Sequence, residues 1–247
     1  MPRKGKHAVR QVTENFSYQW KVWKSFPKAY MAFRKNWFLA KLGVSTDAAF
    51  ARLIQGRRRI LDAGTGLGYK LELMAAASKG SEIIGADLSG SVHEAERNTR
   101  RFPNVHVVRA NIFQLPFPKG SFDLIISDGV IHHTPDARGA CLALARLLAP
   151  GGILAVHVYK KMGPVRELPD ALVQKACRVL PVSPGRDFVK AFTELGRTLD
   201  GLQAEVTIKR PIPILGIPAG KTTVQRLVYY SWFQCHWNPR LNFEQNN

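Results

Sequence analysis

Between Arg57 and Lys161, short apolar runs alternate with stretches whose apolar residues recur at helical spacing, and turn residues separate the two. "RRRILDA" reads as a strand, and "YKLELMAAASKG" as a helix that stops at Gly80. "EIIGADL" is a second strand. "SVHEAERNTRRF" is a second helix, with Ser91 and Glu94 at capping-box spacing. "NVHVVRA" and "FDLIISDG" give a third and a fourth strand. "DARGACLALARLLAP" is a helix stopped by Pro150, and "GGILAVHVYK" a fifth strand. Apolar strands spaced by helices predict an α/β fold, a doubly wound and mostly parallel sheet covered on both faces.

This rhythm marks residues 51–161 as a core, flanked by an N-terminal extension (1–50) and a C-terminal region (162–247). The extension holds "FSYQWKVWKSFPKAYMAFRKNWF", in which aromatics and cations interleave without a clean period. It reads as helical pieces and loops packing on the body; the same composition suits a lid over a ligand or a nucleic-acid platform. In the C-terminal region, residues 164–200 look mainly helical, and "AEVTIKR" is the one strand-like run. "KRPIPILGIPAGK" holds three prolines and two glycines, which excludes a regular helix or a central strand. "TTVQRLVYYSWFQCHW" reads as an apolar helix, whose "RLVYYSWF" portion either packs or rests on a membrane surface.

Composition changes this picture little, and charge changes it more. At 247 residues, 45% hydrophobic and 22% charged, the chain reads as an ordinary globular protein. No apolar run approaches the ~20 residues that span a bilayer. The basic start lacks the apolar segment of a secretory signal, so the cytoplasm is the expected location. Cys141, Cys177 and Cys235 form no CxxC pair, so neither a metal site nor a disulfide framework is expected. The 36 Lys and Arg against 18 Asp and Glu leave a net charge of +18, which favours anionic partners and keeps RNA open as one.

The chemistry concentrates where the first strand ends. Gly64, Gly66 and Gly68 alternate with Thr65 and Leu67, and glycine permits positive φ and close approach to a ligand. Asp62, at the strand's end, can hold an ammonium group or orient the turn through its N–H groups. Asp87 ends the second strand and is placed to accept both hydroxyls of a ribose. A dinucleotide fingerprint would need a small residue where Tyr69 stands, and a Walker-type loop would need Gly-Lys-Ser/Thr, which is missing. Hydride transfer is therefore the weaker reading.

"ILDAGTGLG" with "IIGADLS", followed by "NIFQLPFPKGSFDLIISDGVIHHTPD" and "RLLAPGGILAVHVY", resembles the class I S-adenosylmethionine-dependent methyltransferases, in the branch with quinone and other small-molecule enzymes. The resemblance covers residues 57–160. It implies a Rossmann-like core with S-adenosylmethionine as cofactor. Asp62, Gly64, Thr65, Gly66 and Gly68 would surround its methionine end. Asp87 would hold the ribose, Leu88, Asn111 and Ile112 the adenine, and Ser127 and Asp128 the floor below the sulfonium. Asn111 stands where the family often has an acid, and Thr65 replaces the usual cysteine.

The acceptor is expected after the fourth strand. There His132 is the candidate base, with His133 beside it, while His157 reads as a core residue and Asp128 as a base or an ammonium ligand. "SDGV" lacks the Pro-Pro-aromatic run of base amino-group methylation, and no cysteine has the setting of a carbon-5 cytosine nucleophile. A small-molecule or lipid-linked acceptor leads. RNA methylation, favoured by charge, and a degenerate fold kept as a binding module are the alternatives. The family core usually closes with two further strands, so the chain is expected to lack one of them or to be shortened at its C-terminus.

Overall fold

Residues 10, 12–14, 16–18, 20, 28–159, 198, 205–210 and 219–223 are described by a computed structural model. The chain divides into one unit ending at Tyr159 and a second beginning at Lys160. In the first, helices α1 (Lys28–Lys41) and α2 (Asp47–Ile54) precede a repeating βα succession. This runs β1 (Arg59–Ala63), α3 (Tyr69–Ala77), β2 (Glu82–Asp87), α4 (Val92–Thr99), β3 (Val105–Arg109), β4 (Phe122–Asp128), α5 (Ala137–Ala145) and β5 (Leu148–His157). The strands form one parallel sheet in the order β3-β2-β1-β4-β5. The predicted doubly wound sheet is borne out.

Alternation along the strands builds two cores. Ile60, Ile83, Leu124 and Ile126 face one side, where Phe38 and Leu39 of α1, Phe50 and Ile54 of α2, and Leu71 and Met74 of α3 cover them. Leu61, Ala63, Ile84, Ala86, Phe122 and Ile125 face the other, against Ala140 and Leu144 of α5. Each large side chain buried here contributes roughly 1.5–3 kcal/mol. Helix α3 comes so close to β2 that a Cβ on Gly85 would lie 2.6 Å from Leu71 Cδ1.

Element ends depart from the sequence reading in four places. Helix α3 stops at Ala77, not Gly80: Ser78 is extended, and its N–H donates to the Met74 carbonyl. Ser91 makes no capping box, because its hydroxyl is engaged with Ser89 Oγ at 2.8 Å. Helix α5 ends at Ala145, five residues before Pro150, which lies inside β5. Phe122 pairs with Leu148 but Leu124 with Ile153, so β5 bulges where Pro150 stands, and a bulged edge strand tolerates proline.

In the second unit β6 (Glu205–Ile208) falls within the strand-like "AEVTIKR". It pairs antiparallel with β7 (Gly220–Thr223), formed by residues read as irregular chain and the start of a helix. The helices expected over 164–200 and beyond Thr223 lie outside the described residues, Thr198 excepted. No helix among the described residues is long and apolar enough to cross a membrane.

Gly68 begins α3 at φ +83°, and a Cβ there would lie 3.1 Å from Ala95 Cα and 3.2 Å from Thr99 Cγ2 of α4. Gly68→Ala is expected to cost about 1–2 kcal/mol in urea unfolding, from the left-handed backbone alone. Gly80→Ala, with nothing within 4 Å of its added Cβ, is the control and should leave the midpoint nearly unmoved.

Candidate functional site

The strand order reverses between β1 and β4, so the loops at their carboxyl ends diverge and leave a crevice, the usual ligand position in such sheets. Asp62 and Asp128 lie at these strand ends, and Asp87 at the end of the adjacent β2. The turn after β1 doubles back at once: the N–H groups of Gly64 and Thr65 both donate to the Ala86 carbonyl, at 2.7 and 3.1 Å. Gly64, Gly66 and Gly68 all hold positive φ, at 89°, 56° and 83°.

What lies beside each glycine is protein. A Cβ on Gly64 would overlap Val130, and one on Gly66 would lie 3.2 Å from the Trp20 ring. Val130 follows β4, and Trp20 belongs to the N-terminal extension. The same extension reaches the site twice more. Ser17 Oγ accepts from Gly90 N–H at 3.0 Å, and the Phe16 ring stands edge-on to His133.

Asp87 keeps its carboxylate at the turn. Its oxygens accept from Gly66 N–H at 2.9 Å and from Ser89 N–H and hydroxyl at 2.9 and 2.7 Å. Leu88 follows, its carbonyl accepting from Arg109 Nε at 3.1 Å. Beyond β3, Asn111 caps the 3-10 turn Ile112–Gln114 by accepting from Phe113 N–H at 3.1 Å. Ser127 is buried and donates to the Ala63 carbonyl at 3.2 Å, which ties β4 to β1.

Two ion pairs that the sequence did not reveal complete the floor. Asp62 is wholly buried, and Lys70 Nζ, from the second residue of α3, lies 2.8 Å from its Oδ1. Burial pushes the Asp62 carboxyl above the usual range, and Lys70 opposes that rise. One strand away, Lys41 Nζ from the end of α1 lies 2.5 Å from Asp128 Oδ1 and 3.7 Å from the centroid of the Trp37 ring. Burial works against the Asp128 charge, but Lys70, Lys41 and His157 together hold its carboxyl below the usual range. Burial also lowers the Lys41 ammonium, against the pull of Asp128.

His132 is only 8% exposed, and neither ring nitrogen has a hydrogen-bond partner among the described residues. Its ring lies 4.1 Å from both His133 and Tyr159. Burial, with His133 and His157 adding to it, pushes its pKa down to about 3, so it is a neutral imidazole at neutral pH. His157 is not the core residue expected. It is about one-third exposed, with Nδ1 3.3 Å from Asp128 Oδ1. Among the described residues no His, Cys, Asp and Glu group has the arrangement of a metal site.

Residues 61–156 match the sequence profile of a methyltransferase domain. The chain is 31% identical over 159 residues to a malonyl-[acyl-carrier protein] O-methyltransferase of Halalkalibacterium halodurans, covering 61% of this chain and 57% of that protein. It is 31% identical over 113 residues to a ubiquinone/menaquinone biosynthesis C-methyltransferase of Pectobacterium atrosepticum, covering 44% and 45%. Residues 61–156 form a methyltransferase domain. Its fold is shared with a candidate sarcosine dimethylglycine methyltransferase of Galdieria sulphuraria, at a TM-score of 0.50 and 18% identity over 67% of each chain. The chain spans about half the length of these two curated relatives, 57% and 45%.

The methyltransferase core fits its cofactor on chemical grounds: carboxylates stand at the ends of β1, β2 and β4, and the three glycines of the turn between β1 and α3 add no side chain of their own beside them. The structure brings Asp62, Gly64, Thr65, Gly66, Gly68, Asp87, Ser127, Asp128 and His132 of the sequence reading to the carboxyl end of the sheet. That reading missed Lys41, Lys70, Trp37 and Tyr159. Lys70 had a visible signal, a lysine inside a helix's first turn directly after a glycine loop and eight positions from an acid. Lys41 had none.

Lys70→Met leaves the Asp62 carboxylate buried without a countercharge and is expected to destabilise the protein by about 3–5 kcal/mol. Adding Asp62→Asn should recover part of that loss, read from urea unfolding of the single and double variants. His132 has its own signature. In an NMR titration from about pH 8 to about pH 5, its ring signals should stay constant while a histidine of ordinary pKa near 6.5 moves through its transition. Protonation of the unfolded chain's His132 then removes stability as pH falls from about 6.5 toward 3, and His132→Gln should flatten that limb.

Proposed function

We propose that the protein transfers a methyl group from S-adenosylmethionine to a small-molecule or lipid-linked acceptor, in line with the departing sulfur. The observation that carries this reading is Asp87 bonded to Gly66 N–H in the turn, with the unpartnered His132 at the neighbouring strand's end. Bound there, S-adenosylmethionine supplies a methyl carbon made electrophilic by its sulfonium. The protein's task is then alignment, which can lower a barrier by ~7–11 kcal/mol in favourable cases.

In this reading Asp62, Gly64, Thr65, Gly66 and Gly68 surround the methionine end. Asp87 takes the ribose hydroxyls, Leu88, Asn111 and Ile112 border the adenine, and Ser127 and Asp128 form the floor. His132 meets the acceptor as a neutral imidazole. Its reluctance to take a proton suits it to orienting an acceptor through a hydrogen bond. Residues 1–50 act as a lid, a role supported by Trp20 against Gly66 and Ser17 bonded to Gly90. The names of the two relatives, acting on a quinone pathway and on a carrier-bound malonyl group, support an acceptor of this class. The proposed location is the cytoplasm.

Calorimetric titration with S-adenosylhomocysteine is the direct test. The wild type should bind it and not NAD, and Asp87→Ala should weaken binding by about tenfold or more, as loss of charge-assisted hydrogen bonds requires. A folded wild-type chain that takes up no S-adenosylhomocysteine would overturn the reading.

A further inference from the structure

We propose that Lys41 anchors the methyl acceptor, and that the acceptor presents a negatively charged oxygen, a carboxylate or phenolate, on a flat apolar body. This rests on the methyltransferase reading above and names the acceptor chemistry at the same site.

Lys41 belongs to neither the glycine turn nor any strand end. It arrives from α1, and its ammonium stands between the Asp128 carboxylate at 2.5 Å and the face of Trp37 at 3.7 Å. Its side chain is largely buried, so the charge depends on an anion at its side. Asp128 fills that place in the present structure. A ligand oxyanion offers the same chemistry and would share Lys41 with Asp128.

The surroundings select the rest of the molecule. Trp37 and Tyr159 are large aromatic groups, each 49% exposed. A chain of ring contacts links them past His157, with centroids 6.1 Å apart from Trp37 to His157 and 6.2 Å from His157 to Tyr159. Tyr159 then leads to His132, whose two buried nitrogens have no partner. The result is an aromatic wall with a cation at one end and a neutral hydrogen-bonding ring at the other.

Charge excludes the alternatives. Asp62 and Asp128 are already matched by Lys70 and Lys41. S-adenosylmethionine brings a further net positive charge, so a cationic acceptor would be repelled and an anionic one balances the site. A neutral hydroxyl would have to lose a proton, and the imidazole nearest to it does not readily take one. An ionised oxygen arrives with its lone pair and no proton to give up.

Benzoate, benzamide and benzylamine are the probes, with binding read by saturation-transfer NMR on the full chain in the presence and absence of S-adenosylhomocysteine. Benzoate should bind and the neutral and cationic isosteres should not. Lys41→Met should weaken benzoate by about tenfold, the scale of one charge-assisted contact, and Lys41→Arg should keep most of it. Equal binding of benzoate and benzamide to the wild type overturns the proposal, and this comparison needs no variant to fold. Benzoate binding unchanged in a folded Lys41→Met overturns it too. If S-adenosylhomocysteine binds while benzoate shows no preference, the anchor fails and the methyltransferase reading stands. Benzoate preference that requires Lys41, in a chain that ignores S-adenosylhomocysteine, keeps the anion site and removes the methyltransferase reading.

Discussion

A carboxylate with no exposure to solvent sits at the tip of the central strand, and much of the site is arranged around it. Removing Asp62 from water costs several kcal/mol unless a partner of opposite charge is held close. That partner, Lys70, comes from the helix that follows. The chain must therefore leave β1, reverse and start α3 within a few residues, and it does so through backbone conformations that only glycine adopts cheaply. The bare turn, the buried acid and the buried lysine are one structural solution. A cofactor's polar end would meet them as a unit, already ordered before it arrives.

The neighbouring strand repeats the device with different parts. Asp128 on β4 is matched by Lys41, which reaches it from outside the βα succession altogether. One acid thus takes its lysine from the helix that follows its own strand and the other from α1. Both are held by lysines that are themselves largely buried. His132 is a poor source of charge, since burial keeps it neutral. Electrostatic control at this end of the sheet rests with the Lys–Asp pairs.

The strands were legible because a parallel sheet buried on both faces requires apolar runs, and those runs are read without knowing their neighbours. Asp62, Asp87 and Asp128 were legible for a related reason, as acids that interrupt apolar strands at their ends. Helix ends were not. Whether Ser91 caps α4 depended on Ser89 competing for its hydroxyl, and whether Pro150 stopped a helix depended on β4 offering β5 a bulged register. His157 was misread because alternation alone did not reveal that Asp128 would lie beside it. The lysines were the hardest case. A surface lysine and Lys41 look identical in sequence, and only tertiary structure separates them.

The bond between Lys41 and Asp128 spans 87 positions of the chain. Lys41 leaves the ribosome early, yet its partner is synthesised only after β1, α3, β2, α4, β3 and most of β4 have followed. Asp62 and Lys70, by contrast, lie eight residues apart. The two pairs therefore differ in reach, and the contact of Lys41 with Asp128 is the long-range closure of the two. A chain interrupted before Asp128 would leave Lys41 without that partner.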